Sequence, residues 1–222
     1  MQGKMVVPTK HIALYGGTFC PIQNAHLRLA NALQAIFNFD QFRFLPNKEP
    51  VLDKIVATSL PHRMAMLELA LKPYPKFMID TREINRSTPS FMVDTLDDLR
   101  NELSEEPCNI SVIIGMDNFL QFHRWHARER ILTLCNLIII ERPGVEMTTL
   151  PALMTPQPHE IVVPEALSSG ETGGFYRCNA GLYDISSTRI RDLIEAGVDV
   201  GLFLPAPVWD YIKKHKLFGY HR

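Results

Sequence analysis

Residues 11–30 read HIALYGGTFCPIQNAHLRLA. The run HIALY, ended by Gly16-Gly17, has the pattern of a short buried strand. From Asn24 onward, Leu27, Ala30, Leu33 and Phe37 recur at helical spacing and predict a helix with one apolar face. A strand that enters a helix through a short loop places that loop at the carboxyl edge of an α/β sheet, where ligands bind. Two glycines there allow close backbone approach to a phosphate, and the helix start presents partial positive charge to an anion. His26, in the first turn, offers one more donor. Taken alone, Gly-Gly after a strand is ordinary turn chemistry and a histidine at a helix start an ordinary surface residue.

The rest of the chain repeats the strand–helix alternation. Residues 42–45 (FRFL) read as the next strand, ended by Pro46-Asn47, and residues 47–58 as a polar loop or lid. Ser59 and Pro61 open a helix on which Met64, Leu67 and Leu71 align. A short strand is expected at 77–80, and then a helix capped by Ser90 that carries Val93, Leu96, Leu99 and Leu103. The runs 110–114 (ISVII) and 137–140 (LIII) are continuous and β-branched, as in central strands of a parallel sheet covered on both faces. One helical region is expected between them, over 117–134. Residues 143–181 read as connection with one further strand, 182–185 as a strand, and 187–196 and 207–215 as helices. The pattern predicts an α/β fold, a doubly wound and mainly parallel sheet with right-handed crossovers.

With 222 residues the chain is long enough for one sizeable α/β domain, residues 1–10 forming an N-terminal extension and 200–222 a helical tail. Hydrophobic residues make up 46% and charged residues 21%, as in ordinary globular proteins. Lys plus Arg (23) nearly balance Asp plus Glu (24), so no global field recruits nucleic acid or an acidic membrane. The four cysteines form no CxxC pair, which argues against a zinc site and a disulfide framework and for a reduced, cytoplasmic setting. Residues 1–10 lack the apolar core of a signal peptide, and no apolar run reaches a membrane span. His123 and His126 flank Trp125, but no carboxylate at ligand spacing completes a metal site. His62-Arg63 reads as a surface pair at a helix start, and Cys20, at a helix entrance, as a candidate reactive thiol.

A second motif, ISSTRIR at residues 185–191, sets hydroxyls at a helix start with Arg191 one turn in. Hydroxyls, backbone N–H groups and a guanidinium fork together suit the phosphates of a nucleotide. On its own it is also simply a capped helix with a surface arginine. With the first motif it resembles the nucleotidyltransferase superfamily, and the likeness extends along the chain. GGTFxPIxNxHL, LPNxxP, HRxxMLxLAL, PSFxxDTL, IIGxDxFLxxxxW, LIIIxRPG, ISSTxIR and LPxPVxxYI follow one another as in bacterial nicotinate-nucleotide adenylyltransferases.

The resemblance implies a Rossmann-like nucleotidyltransferase fold and transfer of AMP from ATP to nicotinic acid mononucleotide, with Mg2+ brought by the ATP and no resident metal. It implies that Gly16, Gly17, Thr18 and Phe19 form the loop both substrates approach, and that His26 contacts the α-phosphate. Ser186, Ser187, Thr188 and Arg191 are expected to hold ATP, with Gly115 and Asp117 near the ribose or the metal-bound substrate and Arg142 close to the nucleotide. On the acceptor side it implies Asn47, Pro89, Ser90, Phe91, Trp125 and His126, with Trp125 stacked on the pyridine ring. Without the resemblance, Trp125 reads as a core or lid aromatic.

The chain departs from the family pattern DPxHxGH. Gln23 stands in place of the first histidine, where its neutral amide is expected to serve beside His26 and Arg191 as a catalytic donor to phosphate, with Ala25 in place of glycine and Cys20 in place of aspartate. A charged donor is worth about 1.5–3 kcal/mol and a neutral one about 0.5–1.5, and a difference of roughly 1.4 kcal/mol slows a reaction about tenfold. Ala25 is harmful where a positive φ is needed and harmless inside a helix. Met92 and His126 stand where threonine and tyrosine are common. Two rivals therefore stand beside the working enzyme: a nucleotide-binding relative without catalysis, and a transferase for another mononucleotide.

Overall fold

The computed structural model describes residues 10–48, 56–141, 158–179 and 186–221. β1 (Lys10–Gly17) leads into α1 (Asn24–Phe37), β2 (Gln41–Pro46) into α2 (Leu60–Leu71), and β3 (Phe77–Ile79) into α3 (Arg82–Asn85) and α4 (Met92–Glu102). β4 (Cys108–Gly115) is followed by α5 (Met116–Leu120), a 3-10 turn at Phe122–Arg124 and α6 (Arg128–Leu134). After β5 (Asn136–Ile140) come β6 (His159–Ile161), β7 (Gly174–Cys178), α7 (Ser187–Glu195) and α8 (Ala206–Lys214). The strands form one sheet in the order β3-β2-β1-β4-β5-β7-β6, and every pairing is parallel.

Period-two alternation explains how one sheet serves two cores. Ala13, Ile113 and Ile138 point to one face, where they meet Leu27, Ala30 and Leu33 of α1, Met66 and Leu67 of α2, Ile190 of α7 and Val208 and Ile212 of α8. Ile12, Leu14, Val112, Leu137 and Ile139 point to the other, against Val93, Leu96 and Leu99 of α4, Phe119 of α5 and Ile131 of α6. Each fully buried Leu or Ile contributes about 1.5–3 kcal/mol. Burial on both faces is why 110–114 and 137–140 carry no polar alternation.

Several expectations need correction. On α2, Met66 and Arg63 lie inward while Met64 is only half-buried. The single helical region over 117–134 is interrupted, because Trp125 is extended (φ −71°, ψ 140°) and Ala127 has φ 49°. Ser90 does not cap α4: Phe91 is the N-cap, and the Ser90 hydroxyl accepts from the Lys48 N–H at 3.3 Å. Within 143–181 the described residues hold two strands, β6 and β7, rather than one. The expected strand 182–185 lies outside the described residues. No helix among the described residues is long and apolar enough to cross a membrane.

His11 shows what this close packing costs a titratable group. Its imidazole is 5% exposed, with Nε2 against Ser111 Oγ (2.9 Å) and Nδ1 against Ser168 Oγ (3.1 Å). Burial lowers its pKa from 6.5 to about 4, against the opposing pull of Asp40. The folded protein keeps this ring neutral while the unfolded chain protonates near 6.5, so its contribution to stability is complete above 6.5 and is lost as pH falls toward 4. The loss is on the order of 3 kcal/mol. Denaturant midpoints measured from pH 7.5 to 4 are expected to fall more steeply for the unaltered chain than for His11→Gln. Parallel slopes would refute this assignment.

Candidate nucleotide site

Going along the chain from β1, the sheet order moves outward through β2 and β3, and the chain then returns to place β4 on the other side of β1. The carboxyl ends of β1 and β4 therefore flank the point where strand order reverses, the usual position of a ligand crevice. Gly17 and Gly115 each lie two residues beyond the last paired residues, Tyr15 and Ile113. A Cβ on Gly115 would meet nothing within 4 Å, whereas one on Gly17 would sit 3.0 Å from the Phe19 ring. Gly115 thus faces open space and Gly17 is held closely by its own loop.

That loop runs from Thr18 to Gln23. Phe19 has φ 47°, an uncommon backbone state for an aromatic residue. Its ring is 3% exposed and packs on Tyr15, Phe44 and His26, with centroids 5.7, 5.6 and 5.4 Å away. That burial offsets the backbone cost. So Phe19 lends its backbone to the loop and its ring to the core. Gln23, 4% exposed, is the N-cap of α1. Its N–H donates to His26 Nδ1 at 3.2 Å. A ring nitrogen that accepts carries no proton, so the neutral His26 bears its proton on Nε2 and presents it as a donor. Ala25 lies inside the first turn of α1 and is not among the described positive-φ residues, so the extra methyl meets no backbone strain.

α7 docks its start on this loop. Ser186 caps α7 by accepting from Arg189 N at 3.1 Å, Ser187 Oγ donates to Pro21 O at 3.1 Å, and Arg191 Nη1 donates to Cys20 O at 2.9 Å. Arg191 Nη2 reaches Thr188 Oγ1 at 3.2 Å. The two motifs, over 160 residues apart, are thereby one structure with two helix starts side by side. Burial pushes the Cys20 thiol up, outweighing nearby Arg191 and Arg63 and the N–H groups of Ala57 and Thr58. The raised pKa and 4% exposure both run against a reactive thiol at Cys20; its carbonyl accepts from Arg191.

Across the crevice, Pro89, Ser90 and Phe91 precede α4, and the Phe91 ring lies 4.5 Å from the ring of His126 at 33°. Trp125 is half-buried against Phe122, centroids 5.2 Å apart. Asp117 lies in the first turn of α5, beyond Gly115. Asn47 bonds back to the first loop: its N–H donates to Gly17 O at 3.2 Å and its Nδ2 to Thr18 Oγ1 at 3.4 Å. Arg142 lies outside the described residues. Among the described residues, no group of three or more His, Cys, Asp or Glu is placed to hold a metal ion.

Two expectations change here. Arg63 is not a surface residue: it is 2% exposed and bonds to Thr18, Asn47 and Lys48. Its place in the segment HRMAMLELAL was the available signal, hidden because a charged residue at a helix start ordinarily faces water. Its neighbour His62 lies against α8, with Nδ1 2.9 Å from Tyr211 Oη. Glu83, 3% exposed, also escaped notice. Burial raises its carboxyl to about 7 despite bonds from Thr95 and Ser90, which places a buried acid behind the Ser90 segment.

The cytidylyltransferase-like family matches residues 14–193. A protein of Legionella pneumophila (strain Paris) with the name "Probable nicotinate-nucleotide adenylyltransferase" is 41% identical over 93% of this chain and 98% of its own length. A protein of the same name from Yersinia enterocolitica is 36% identical over 95% and 97%. In three dimensions the chain is similar to the nicotinic acid mononucleotide adenylyltransferase of Plasmodium falciparum, solved as a complex with NaAD, with TM-score 0.72, 19% identity and coverage of 96% and 98%.

The two glycines make opposite predictions. Gly17→Ala is expected to force the Phe19 ring aside and to lower unfolding stability by about 1–3 kcal/mol, as overpacking does. Gly115→Ala is expected to leave stability within about 0.5 kcal/mol and to weaken ATP binding measured by calorimetry. Unchanged ATP affinity in Gly115→Ala would remove that strand end from the site.

Proposed function

Because the chain belongs to the nicotinate-nucleotide adenylyltransferases, within the cytidylyltransferase-like family, we infer that it transfers the adenylyl group of ATP to nicotinic acid mononucleotide. The products are nicotinic acid adenine dinucleotide and pyrophosphate, a step of NAD biosynthesis. A phosphate oxygen of the mononucleotide attacks the α-phosphorus of ATP in line. As that O–P bond forms, the bond from the α-phosphorus to the bridging oxygen breaks and its electrons leave with pyrophosphate. No protein atom needs to bond to phosphorus, so the work is positioning and neutralising charge.

The observation that carries this reading is the docking of α7 on the β1–α1 loop through Ser187 and Arg191. Two helix starts and a guanidinium then face the place where negative charge builds. In this reading the His26 Nε2–H donates to the α-phosphate. Gly16, Gly17, Thr18 and Phe19 form the wall of the crevice. Ser186, Ser187, Thr188 and Arg191 hold the ATP phosphates, two of the five guanidinium N–H donors of Arg191 already fixing its orientation. Gly115 and Asp117 border the nucleotide. Gln23 serves chiefly by starting α1 and seating His26. Trp125, Phe91 and His126 form the aromatic ledge for the pyridine ring, with Asn47, Pro89 and Ser90 at its edge. Mg2+ arrives as part of the ATP complex, and the reaction is cytoplasmic.

Pyrophosphate release from Mg-ATP is expected with nicotinic acid mononucleotide and to be far weaker with the amide mononucleotide or no acceptor. His26→Ala is expected to lower kcat about 10²–10³-fold, as for loss of one donor to a developing charge. Release with the amide alone would move the assignment to a different acceptor. Silence with every acceptor, alongside measurable ATP binding, would favour the relative without catalysis.

A further inference from the structure

Arg63 is among the largest fully buried side chains of the protein. A buried charge is costly unless it is paired or well hydrogen-bonded. Among the described residues, no carboxylate lies within ion-pair distance of Arg63. Its bonds run instead to the main chain of two loops. Nη1 donates to Thr18 O (2.9 Å), Asn47 O (2.9 Å) and Asn47 Oδ1 (3.4 Å), and Nη2 donates to Lys48 O (2.7 Å). Nε is equally buried and has no hydrogen-bond partner among the described residues, where the two terminal nitrogens make every bond that orients the group.

The consequence follows from peptide geometry. In a trans peptide the C=O and the following N–H point in opposite directions. Drawing Thr18 O toward Arg63 turns the Phe19 N–H away from it, out of the loop's interior. Drawing Asn47 O inward likewise turns the Lys48 N–H away, and that N–H donates to Ser90 Oγ. One guanidinium therefore fixes the loop after β1, the loop after β2 and, through Lys48, the segment that begins α4. The first borders the ATP side and the other two border the acceptor side.

We propose that Arg63 is the positioning residue that sets the ATP-side loop and the acceptor-side loop in register for transfer. It touches no reacting atom; it acts through the carbonyls of Thr18, Asn47 and Lys48. This role deepens the adenylyltransferase reading and rests on it for its kinetic consequence. Lysine is no substitute. An ammonium is a compact point charge and lacks the planar fork that reaches carbonyls on two loops at once.

The test compares the unaltered protein with Arg63→Lys and Arg63→Met in steady-state kinetics, thermal unfolding and amide hydrogen exchange by peptide. Arg63→Lys is expected to lower kcat about 10- to 100-fold, as small misplacements of reacting groups do, with each KM within about threefold. Exchange is expected to quicken in peptides covering residues 16–23 and 41–48, while those from β4 and β5 stay protected. A kcat within threefold of the unaltered value, or a loss that only tracks the fraction unfolded, would overturn the proposal. So would unchanged exchange in both loops. If the unaltered protein itself releases no pyrophosphate, the adenylyltransferase reading fails, while the exchange data still decide whether Arg63 orders the two loops. Should Arg63→Met fail to fold, Arg63→Lys carries the test.

Discussion

The structure depends on the parallel pairing of β1 with two neighbours from different parts of the chain. β2 pairs along one edge from Ile12 to Gly17 and β4 along the other from Lys10 to Tyr15. With both edges of β1 satisfied and both faces buried, the chain that leaves its carboxyl end has one way to go, outward over the crevice between β1 and β4. The position of the loop, the entry angle of α1 and the proximity of Gly115 all follow from that pairing.

The proposed chemistry rests on fixed donors rather than on a reactive side chain. Cys20 is buried with a raised pKa, and His26 is committed through Nδ1 to a backbone N–H. Arg191 is similarly constrained, since its contact with Cys20 O joins α7 to the loop while leaving further N–H groups for an anion. Donors oriented in advance need little reorganisation when charge develops, which suits a displacement at phosphorus.

The elements whose side chains report their own burial were legible in the sequence. ISVII and LIII have the continuous β-branched pattern of central strands, and Leu27, Ala30 and Leu33 the spacing of one helix face. β6 and β7 were not, because three-residue HEI and the glycine-led GFYRC carry no periodicity long enough to read. The break between α5 and α6 was hidden because φ 49° falls on Ala127, a residue that ordinarily favours helix. Of the expected site residues, Phe91 and His126 lie against one another, and Ser187 and Arg191 reach the loop after β1. Arg63 was misread because its partners are carbonyl oxygens of distant loops, and carbonyls leave no mark in a sequence.

The same fact explains why Cys20, Gln23 and Ala25 look more damaging in the sequence than in the structure. Cys20 contributes its carbonyl to Arg191, and the N–H of Gln23 reaches His26. Ala25 occupies an ordinary helical position where glycine's freedom is not needed. The Cys20 carbonyl and the Gln23 N–H are backbone groups, which any residue able to adopt the local φ and ψ supplies, and the Gln23 side chain adds its part of the capping box at the start of α1. The side chains proposed to act directly, His26 and Arg191, are retained, and the substitutions at Cys20 and Gln23 fall where the main chain makes the contact. A motif compared letter by letter therefore overstates the loss, because part of what it encodes is a path for the backbone.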